Sequence, residues 1–283
     1  MRVETTDSRV TVTYDSVREL ADHAEEVTTD AYRAQFAARP DFFSVSTLEE
    51  ALTLAREGWA EEVNRALTAA DSAVEKVERT FEQLSFVATH GVTGADVDID
   101  RFLTGEPECM IDYPLTPIVK AGRVITICAS VGYSATLSTE TVIKRGHAIA
   151  ALVLALARLG YATEVWTDWS LDGRAGDDAP DVRIRTLVKG PQDALDAERL
   201  MFAVAHPAYK RVLHFGVTHT VPEPFRSKHC RPEGTLKSSV SVRPVEDMSE
   251  GTIYTLNVRT NQDIPDADVQ LVEWLRQLEI ITD

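Results

Sequence analysis

The chain has 283 residues, of which 44% are hydrophobic and 26% are charged, and it carries a net charge of −16 at neutral pH. This composition is typical of a globular protein with a substantial core, and it excludes collagen-like and disordered classes. The acidic balance repels nucleic acid and anionic lipid, so we expect neither as a partner.

Cysteine usage and the N-terminus indicate a cytoplasmic protein. Cys109, Cys128 and Cys230 show no CxxC spacing, which argues against a disulfide framework or a structural zinc site. The N-terminus has no apolar segment of the signal-peptide type, and the longest apolar run, 149–157, is far shorter than a membrane span. We therefore expect a reducing compartment and no membrane anchoring.

The first hundred residues have the pattern of acidic amphipathic helices. The spacing from Thr47 to Glu50 matches a capping box, and apolar residues then recur at helical intervals from Leu48 to Trp59. A second helix is predicted over 62–83. Because two helices with a turn-rich tail have too little core to be stable alone, we expect residues 1–117 to form a helical extension packed on the rest of the chain.

Residues 118–283 contain alternating strands and helices. The nearly continuous apolar run from Val124 to Cys128 is typical of a central parallel strand with both faces covered. The Ala/Leu-rich segment 141–159 predicts a long helix. Further elements are predicted as strands at 163–167, 182–188 and 253–259, helices at 193–204 and 267–278, and a short strand or helix at 211–217. This alternation predicts an α/β domain with a doubly wound, mostly parallel sheet.

The turn after the first of these strands has the sequence CASVGYS, from Cys128 to Ser134. With the order of elements, it resembles the von Willebrand factor A domain, a Rossmann-like fold whose Asp-x-Ser-x-Ser motif binds a divalent metal. Here Cys128 stands at the Asp position, Ser130 keeps the first Ser, and Gly132 replaces the second. Shifting the frame to Ser130 and Ser134 still leaves the Asp missing. The resemblance implies an A-like domain over 118–283 with a degenerate metal motif.

A divalent cation such as Mg²⁺ needs charged oxygen ligands, which Ser130 and Ser134 do not supply. Asp168 and Asp172, after the second strand, or Asp263, after the strand that begins at Ile253, could supply one. We expect no metal cofactor, with Mg²⁺ or Zn²⁺ as the alternative. We also expect Cys128 to be buried as a small apolar residue rather than exposed as a reactive thiol.

Two basic groups could meet a phosphate at the mouth of such a sheet. Lys144 and Arg145 lie in the first turns of the long helix. The second group is Lys210, Arg211, Arg226, Lys228, His229 and Arg231. The other interpretation is that both groups pair with surface carboxylates. Four histidines and Cys230 also fall between 206 and 230, but their spacings match no standard zinc finger.

The segments TLEEALTLAREGW, GEPECM and RGHAIAALVLALARLGYATEVW are similar to those of uncharacterised proteins of actinobacteria and their phages, a likeness that implies no activity. Two hypotheses follow. In the first, the chain is a non-enzymatic module whose strand-end loops contact a protein partner. In the second, it is a phosphate- or nucleotide-binding protein, or a metal-dependent enzyme, that uses the loop after the first strand together with Lys144 and Arg145.

Overall fold

The computed structural model describes residues 1–80, 84–86, 88–113, 115–117, 124–134, 137–172, 181–231, 236, 240–241, 248, 251–255 and 267–278. The strands are β1 (Arg2–Thr5), β2 (Arg9–Tyr14), β3 (Leu84–Phe86), β4 (Thr89–Gly91), β5 (Asp96–Val97), β6 (Met110–Asp112), β7 (Leu115–Pro117), β8 (Val124–Ser130), β9 (Ala162–Asp172), β10 (Asp181–Lys189), β11 (Val240–Ser241) and β12 (Ile253–Tyr254).

The α-helices are α1 (Val17–Val27), α2 (Asp30–Ala38), α3 (Pro40–Phe43), α4 (Leu48–Glu57), α5 (Val63–Thr80), α6 (Ile99–Thr104), α7 (Thr139–Arg158), α8 (Ala197–Ala205), α9 (Phe215–Val217), α10 (Phe225–His229) and α11 (Ala267–Gln277). A π-helix spans Tyr209–His214, and 3₁₀ turns span Ala60–Glu62 and Thr218–Thr220. No helix in the described ranges is long and apolar enough to cross a bilayer.

The main sheet has the strand order β1-β2-β10-β9-β8-β12, and β11 also pairs with β9. The pairs β2–β10, β8–β9 and β8–β12 are parallel, whereas β1–β2 and β9–β10 are antiparallel. The prediction of an α/β protein with a mostly parallel central sheet is therefore confirmed. The strand predicted over Val124 to Cys128 is also confirmed as an interior one, since β8 has a neighbour on each side.

Two strands, β1 and β2, open the chain, although the sequence analysis expected helices throughout the N-terminal region. β2 pairs with β10 in parallel over its whole length. Val10, Val12 and Tyr14 are buried while the residues between them are partly exposed. This period-two alternation is the signal of a half-buried strand, and the helical expectation overlooked it.

Most of the buried apolar strand residues lie on one face of the sheet, whereas Cys128 and its partner Trp166 lie on the other. Ile127 pairs with Val165, and Trp169 pairs with Ile184; because side chains alternate along a strand, all four point the same way. One cluster on this face joins α1, α2 and α4 to β2, β9 and β10, and a second joins α5, α7 and α11 to β8. Helix α8 contributes to both clusters. Within the described ranges, no second helical layer covers the other face, so the doubly wound arrangement stays a prediction.

Helix α7 follows the sequence closely. It was predicted over 141–159 and begins at Thr139, where the side chain of Ser138 accepts a hydrogen bond from the Thr141 amide. Gly160 adopts a φ of 81° directly after the helix, as expected for a left-handed C-terminal cap. The long apolar helix is thus determined locally, by its cap, its composition and its terminal glycine.

The chain between α5 and β8 forms an arm, which we define as residues 84–117. β3 and β7 pair as its stem, and β4, β6 and β5 form a small antiparallel sheet beyond it. Helix α6 lies in the connection between β5 and β6. Over residues 88–113 no side chain is fully buried.

Candidate functional site

The carboxyl ends of β8 and β12 meet where the order of strands changes direction. From β8 the chain passes through α7 to β9 on one side, whereas β12 lies on the other side. The amide of Ser130 donates to Thr255 Oγ1 at 2.9 Å, and the amide of Thr255 donates to the Cys128 carbonyl at 3.0 Å. In open α/β sheets, ligands bind outside the carboxyl ends of the strands. The turn singled out in the sequence therefore lies at the position where a ligand is expected.

The polar groups of this turn are engaged within the chain. Ser130 is 2% exposed, and its hydroxyl accepts a hydrogen bond from the Gly132 amide at 3.2 Å. Cys128 is fully buried, as expected for a small apolar side chain. Ser134 is half-buried further along the turn. The turn thus supports the end of β8 through its own hydrogen bonds.

Asp168, which lies beside Cys128, is held in a buried ion network. Its Oδ2 accepts hydrogen bonds from Arg183 Nε at 2.8 Å and from Arg185 Nε at 3.2 Å. Its Oδ1 accepts one from Ser170 at 3.1 Å, and Cys128 Sγ lies 3.9 Å from Oδ2. Two guanidinium groups neutralise this carboxylate, so it does not fit the role of a ligand to Mg²⁺. No group of three His, Cys, Asp or Glu side chains could hold a metal ion in the part of the chain that the structure describes.

Three cationic side chains are buried beside Tyr133, which lies in the turn after β8. Arg145 is 8% exposed, Lys210 is 5% exposed and Arg211 is 2% exposed. Lys210 Nζ lies 4.1 Å from the centroid of the Tyr133 ring and donates a hydrogen bond to the Tyr133 carbonyl. The Arg211 guanidinium lies 5.5 Å from the same centroid. We call Arg145, Lys210 and Arg211 the cation cluster.

Four parts of the chain position the cation cluster. Arg145 comes from α7, and its Nη2 donates to Thr255 Oγ1, after β12, at 3.0 Å. Lys210 and Arg211 come from the π-helix, a rare conformation that is frequent at functional sites. Arg211 donates to the carbonyls of Phe42 and Leu137. The cluster exists only when these distant segments pack together.

Burial lowers the pKa of each cation. Burial, followed by the charges of Arg211 and Arg145, holds the pKa of Lys210 well below its ordinary value. Burial lowers the pKa of Arg145 to about 10 and also lowers that of Arg211. In the described part of the chain, Lys210 and Arg211 have carbonyl oxygens and aromatic rings as partners. The protein thus concentrates positive charge inside a chain whose net charge is −16.

The structure separates the basic residues that the sequence grouped together. Lys144 is exposed while Arg145 is buried, because adjacent helical positions face about 100° apart. In the second group, Arg226 is exposed and pairs with Glu223 at 2.8 Å. Lys228 and Arg231 are also exposed. The interpretation that these residues pair with surface carboxylates is therefore correct for Arg226. Lys210 and Arg211 are instead buried together with Arg145.

The histidines between 206 and 230 do not converge in the manner of a zinc site. His206 Nδ1 accepts a hydrogen bond from the Ala208 amide at 3.1 Å, and His214 Nδ1 lies 3.0 Å from the Tyr209 carbonyl. Burial lowers the pKa of both imidazoles to about 4, so both are neutral at pH 7. Both are buried core residues, and each uses its Nδ1 in a hydrogen bond to the backbone.

A pocket of about 530 Å³ lies between α3, the beginning of α4 and the beginning of α7. Its lining residues are Pro40, Asp41, Ser44, Val45, Ser46, Glu50 and Thr139. Arg211 binds the carbonyls of Phe42 and Leu137, which lie in the same two segments as this lining. Arg211 thus holds these two segments together, whereas none of the three cations lines the pocket.

The sequence contained only part of the signal for this site. Lys210 and Arg211 stood out as basic residues, but nothing local distinguished them from Arg226 or Lys228. Tyr133 lies inside the turn that was singled out, yet the predicted site residues of that turn were Cys128, Ser130, Gly132 and Ser134. Thr255 was missed because its role depends on β12 pairing with β8.

Comparison with known proteins gives one match. The chain matches the family "Domain of unknown function (DUF7192)" over residues 2–282. Because this match covers nearly the whole chain, the protein belongs to that family. No curated protein matches the chain, and no solved structure does.

Proposed function

We propose that this member of the DUF7192 family binds a small anionic ligand, and that the bound group is a phosphate. The observation that carries the proposal is the burial of Arg145, Lys210 and Arg211 around Tyr133 at the carboxyl ends of β8 and β12. This is the second hypothesis drawn from the sequence, now resting on a different set of residues. Arg145 is retained, and Lys144 is replaced by Lys210 and Arg211.

Electrostatics supports an anionic ligand. Removing a cation from water costs several kcal/mol in a real protein, and neighbouring like charges add to that cost. An anion between the three side chains would offset both the desolvation cost and the repulsion between the cations, because charge-assisted hydrogen bonds are stronger than neutral ones. Guanidinium and ammonium groups are the side-chain donors that bind phosphate oxygens in proteins.

The same geometry weighs against the first hypothesis, in which the strand-end loops contact a protein partner. Ser130, Gly132 and Asp168 use their polar atoms inside the chain, so they offer a partner little to bind. The A-like identity of residues 118–283 stays a proposal, which the order of elements from β8 to α8 supports. A cytoplasmic location also stays a proposal, supported by the free cysteines Cys109, Cys128 and Cys230.

Thermal unfolding of the full chain tests the proposed ligand class. Inorganic phosphate, ATP, GTP and acetate are added at matched ionic strength. A ligand that binds only the folded state at 100 times its Kd stabilises that state by about 2.7 kcal/mol. We expect phosphate-bearing compounds to raise the Tm and acetate to raise it less, with direct binding checked by calorimetry.

Matched variants locate the site. Lys210→Met and Arg211→Met should abolish the shift caused by phosphate, because each removes a buried donor. Lys144→Met is the control, since Lys144 is exposed and precedes Arg145 on the same helix. The proposal is wrong if none of the phosphate-bearing compounds raises the Tm, or if Lys144→Met abolishes the shift as completely as Lys210→Met.

A further inference from the structure

Helix α6 in the arm exposes an apolar face. Ile99 is 67% exposed, Phe102 is 63% exposed and Leu103 is 76% exposed. Residues three and four apart lie on the same side of a helix, so these three side chains form one stripe. Amphipathic helices usually bury such a stripe against another element. In the described part of this chain the stripe faces solvent.

The exposed apolar side chains of α6 belong to a capped helix rather than to a frayed segment. The side chain of Asp98 caps α6 by accepting from the Arg101 amide at 3.2 Å, and His90 Nε2 lies 3.0 Å from the other oxygen of Asp98. Gly105 ends the helix with a φ of 77°. The helix is thus held by its caps. Three further large apolar side chains of the same arm are exposed: Val92, Val97 and Tyr113.

The charges of the arm define what can cover this face. Residues 88–113 contain six acidic residues and one arginine: Asp96, Asp98, Asp100, Glu106, Glu108, Asp112 and Arg101. Two copies of the chain that met arm to arm would place like charges side by side, which costs free energy. An anionic membrane surface would be repelled for the same reason.

We propose that α6 inserts Ile99, Phe102 and Leu103 into an apolar groove of another protein whose border carries Lys and Arg. A helix that presents anchors at positions i, i+3 and i+4 is a recurring form of recognition. The acidic residues around the helix then face the basic border and steer the association. This surface is separate from the cation cluster, so the inference does not depend on phosphate binding.

The test uses the full chain in cells of the organism that encodes it. A photo-crosslinking amino acid replaces Phe102, and in a matched control it replaces Val269, which is 60% exposed on α11. We expect one heterologous protein to be crosslinked from position 102 and not from position 269. That protein is then purified, and its affinity for the wild-type chain is measured at low and high salt.

The variant carrying Phe102→Ser and Leu103→Ser should bind the purified protein about tenfold more weakly or worse, because central apolar anchors dominate such interfaces. Its Tm should equal that of the wild type, since both side chains are already exposed. Raising the salt concentration should weaken binding by the wild-type chain. The inference fails if crosslinks join two copies of this chain or reach lipid. It also fails if positions 102 and 269 behave alike, if no adduct forms, or if the double variant binds normally.

Discussion

The Lys210 ammonium group lies 4.1 Å from the centroid of the Tyr133 ring and donates a hydrogen bond to the Tyr133 carbonyl. One residue of the turn after β8 thus solvates a charge that is carried by the π-helix. A desolvated cation–π contact is worth about 2 kcal/mol, whereas burying an ammonium group costs several kcal/mol. The free energy of this contact is smaller than the cost of burying the ammonium group. We therefore expect a bound anion to stabilise the folded protein.

Lys210→Met should therefore stabilise the protein in the absence of ligand, by about 1–3 kcal/mol, because an apolar side chain of similar length replaces a buried charge. Urea unfolding without phosphate measures the change. Millimolar phosphate should then stabilise the wild type and leave the variant unchanged. A variant less stable than the wild type without ligand would mean that the chain itself satisfies the charge of Lys210.

The gain from Lys210→Met should shrink as the pH rises. The pKa of Lys210 is lower in the folded than in the unfolded chain, so the unfolded state binds more protons below the ordinary lysine pKa. Wild-type stability from this group therefore rises with pH and levels off near the ordinary lysine pKa of about 10.4. Comparing the two proteins at pH 7 and pH 9.5 isolates the effect of this one group. A gap that is constant or widens with pH would contradict the expectation.

Asp168→Asn should destabilise the protein by about 3–5 kcal/mol, because it leaves buried guanidinium charge without its carboxylate. Asp168 and Arg183 are each 1% exposed in their side chains. The control is Asp181→Asn, whose partner Arg9 is 35% exposed, and a change below about 1 kcal/mol is expected there. Chemical denaturation of both variants makes the comparison. Equal losses would show that the Asp168 network contributes no more than a surface pair.

Stability should fall as the pH drops from about 6.5 to about 4. Burial lowers the pKa of His206 and His214 to about 4 in the folded chain, while the unfolded chain takes up these protons near pH 6.5. The contribution is thus present above pH 6.5 and lost as the pH falls. His214→Gln should flatten this dependence, and His90→Gln, on the surface of the arm, should not. The denaturation midpoints of the wild type and of both variants at pH 7 and pH 5 measure this dependence.

Cys128→Asp should lower the Tm, and Mg²⁺ should not restore it. The new carboxylate would lie beside Asp168, since Cys128 Sγ is 3.9 Å from Asp168 Oδ2, and two buried carboxylates repel each other. Cys128→Ser controls for the loss of the thiol. Calorimetry with and without Mg²⁺ gives the answer. Tight Mg²⁺ binding by the wild type would revive the metal-dependent alternative.

Local sequence was sufficient for the centre of the fold. Both β8 and α7 are identified by features of their own short segments of sequence. These features are the apolar run of β8 and the Ala/Leu content, serine cap and terminal glycine of α7. β2 carried the same kind of local signal, in the alternation of Val10, Val12 and Tyr14. It was overlooked because the acidic helices that follow dominate the N-terminal composition.

The burial of charge was decided only by tertiary structure. Lys144 and Arg145 are neighbours in sequence, yet one is exposed and the other buried, because α7 turns about 100° between them. Arg211 and Arg226 look alike locally, but only Arg211 is covered, by the distant segments that contain Phe42 and Leu137. Periodicity records which face of an element is apolar. Contacts between distant segments determine which cations are buried together, and the composition of a segment does not indicate those contacts.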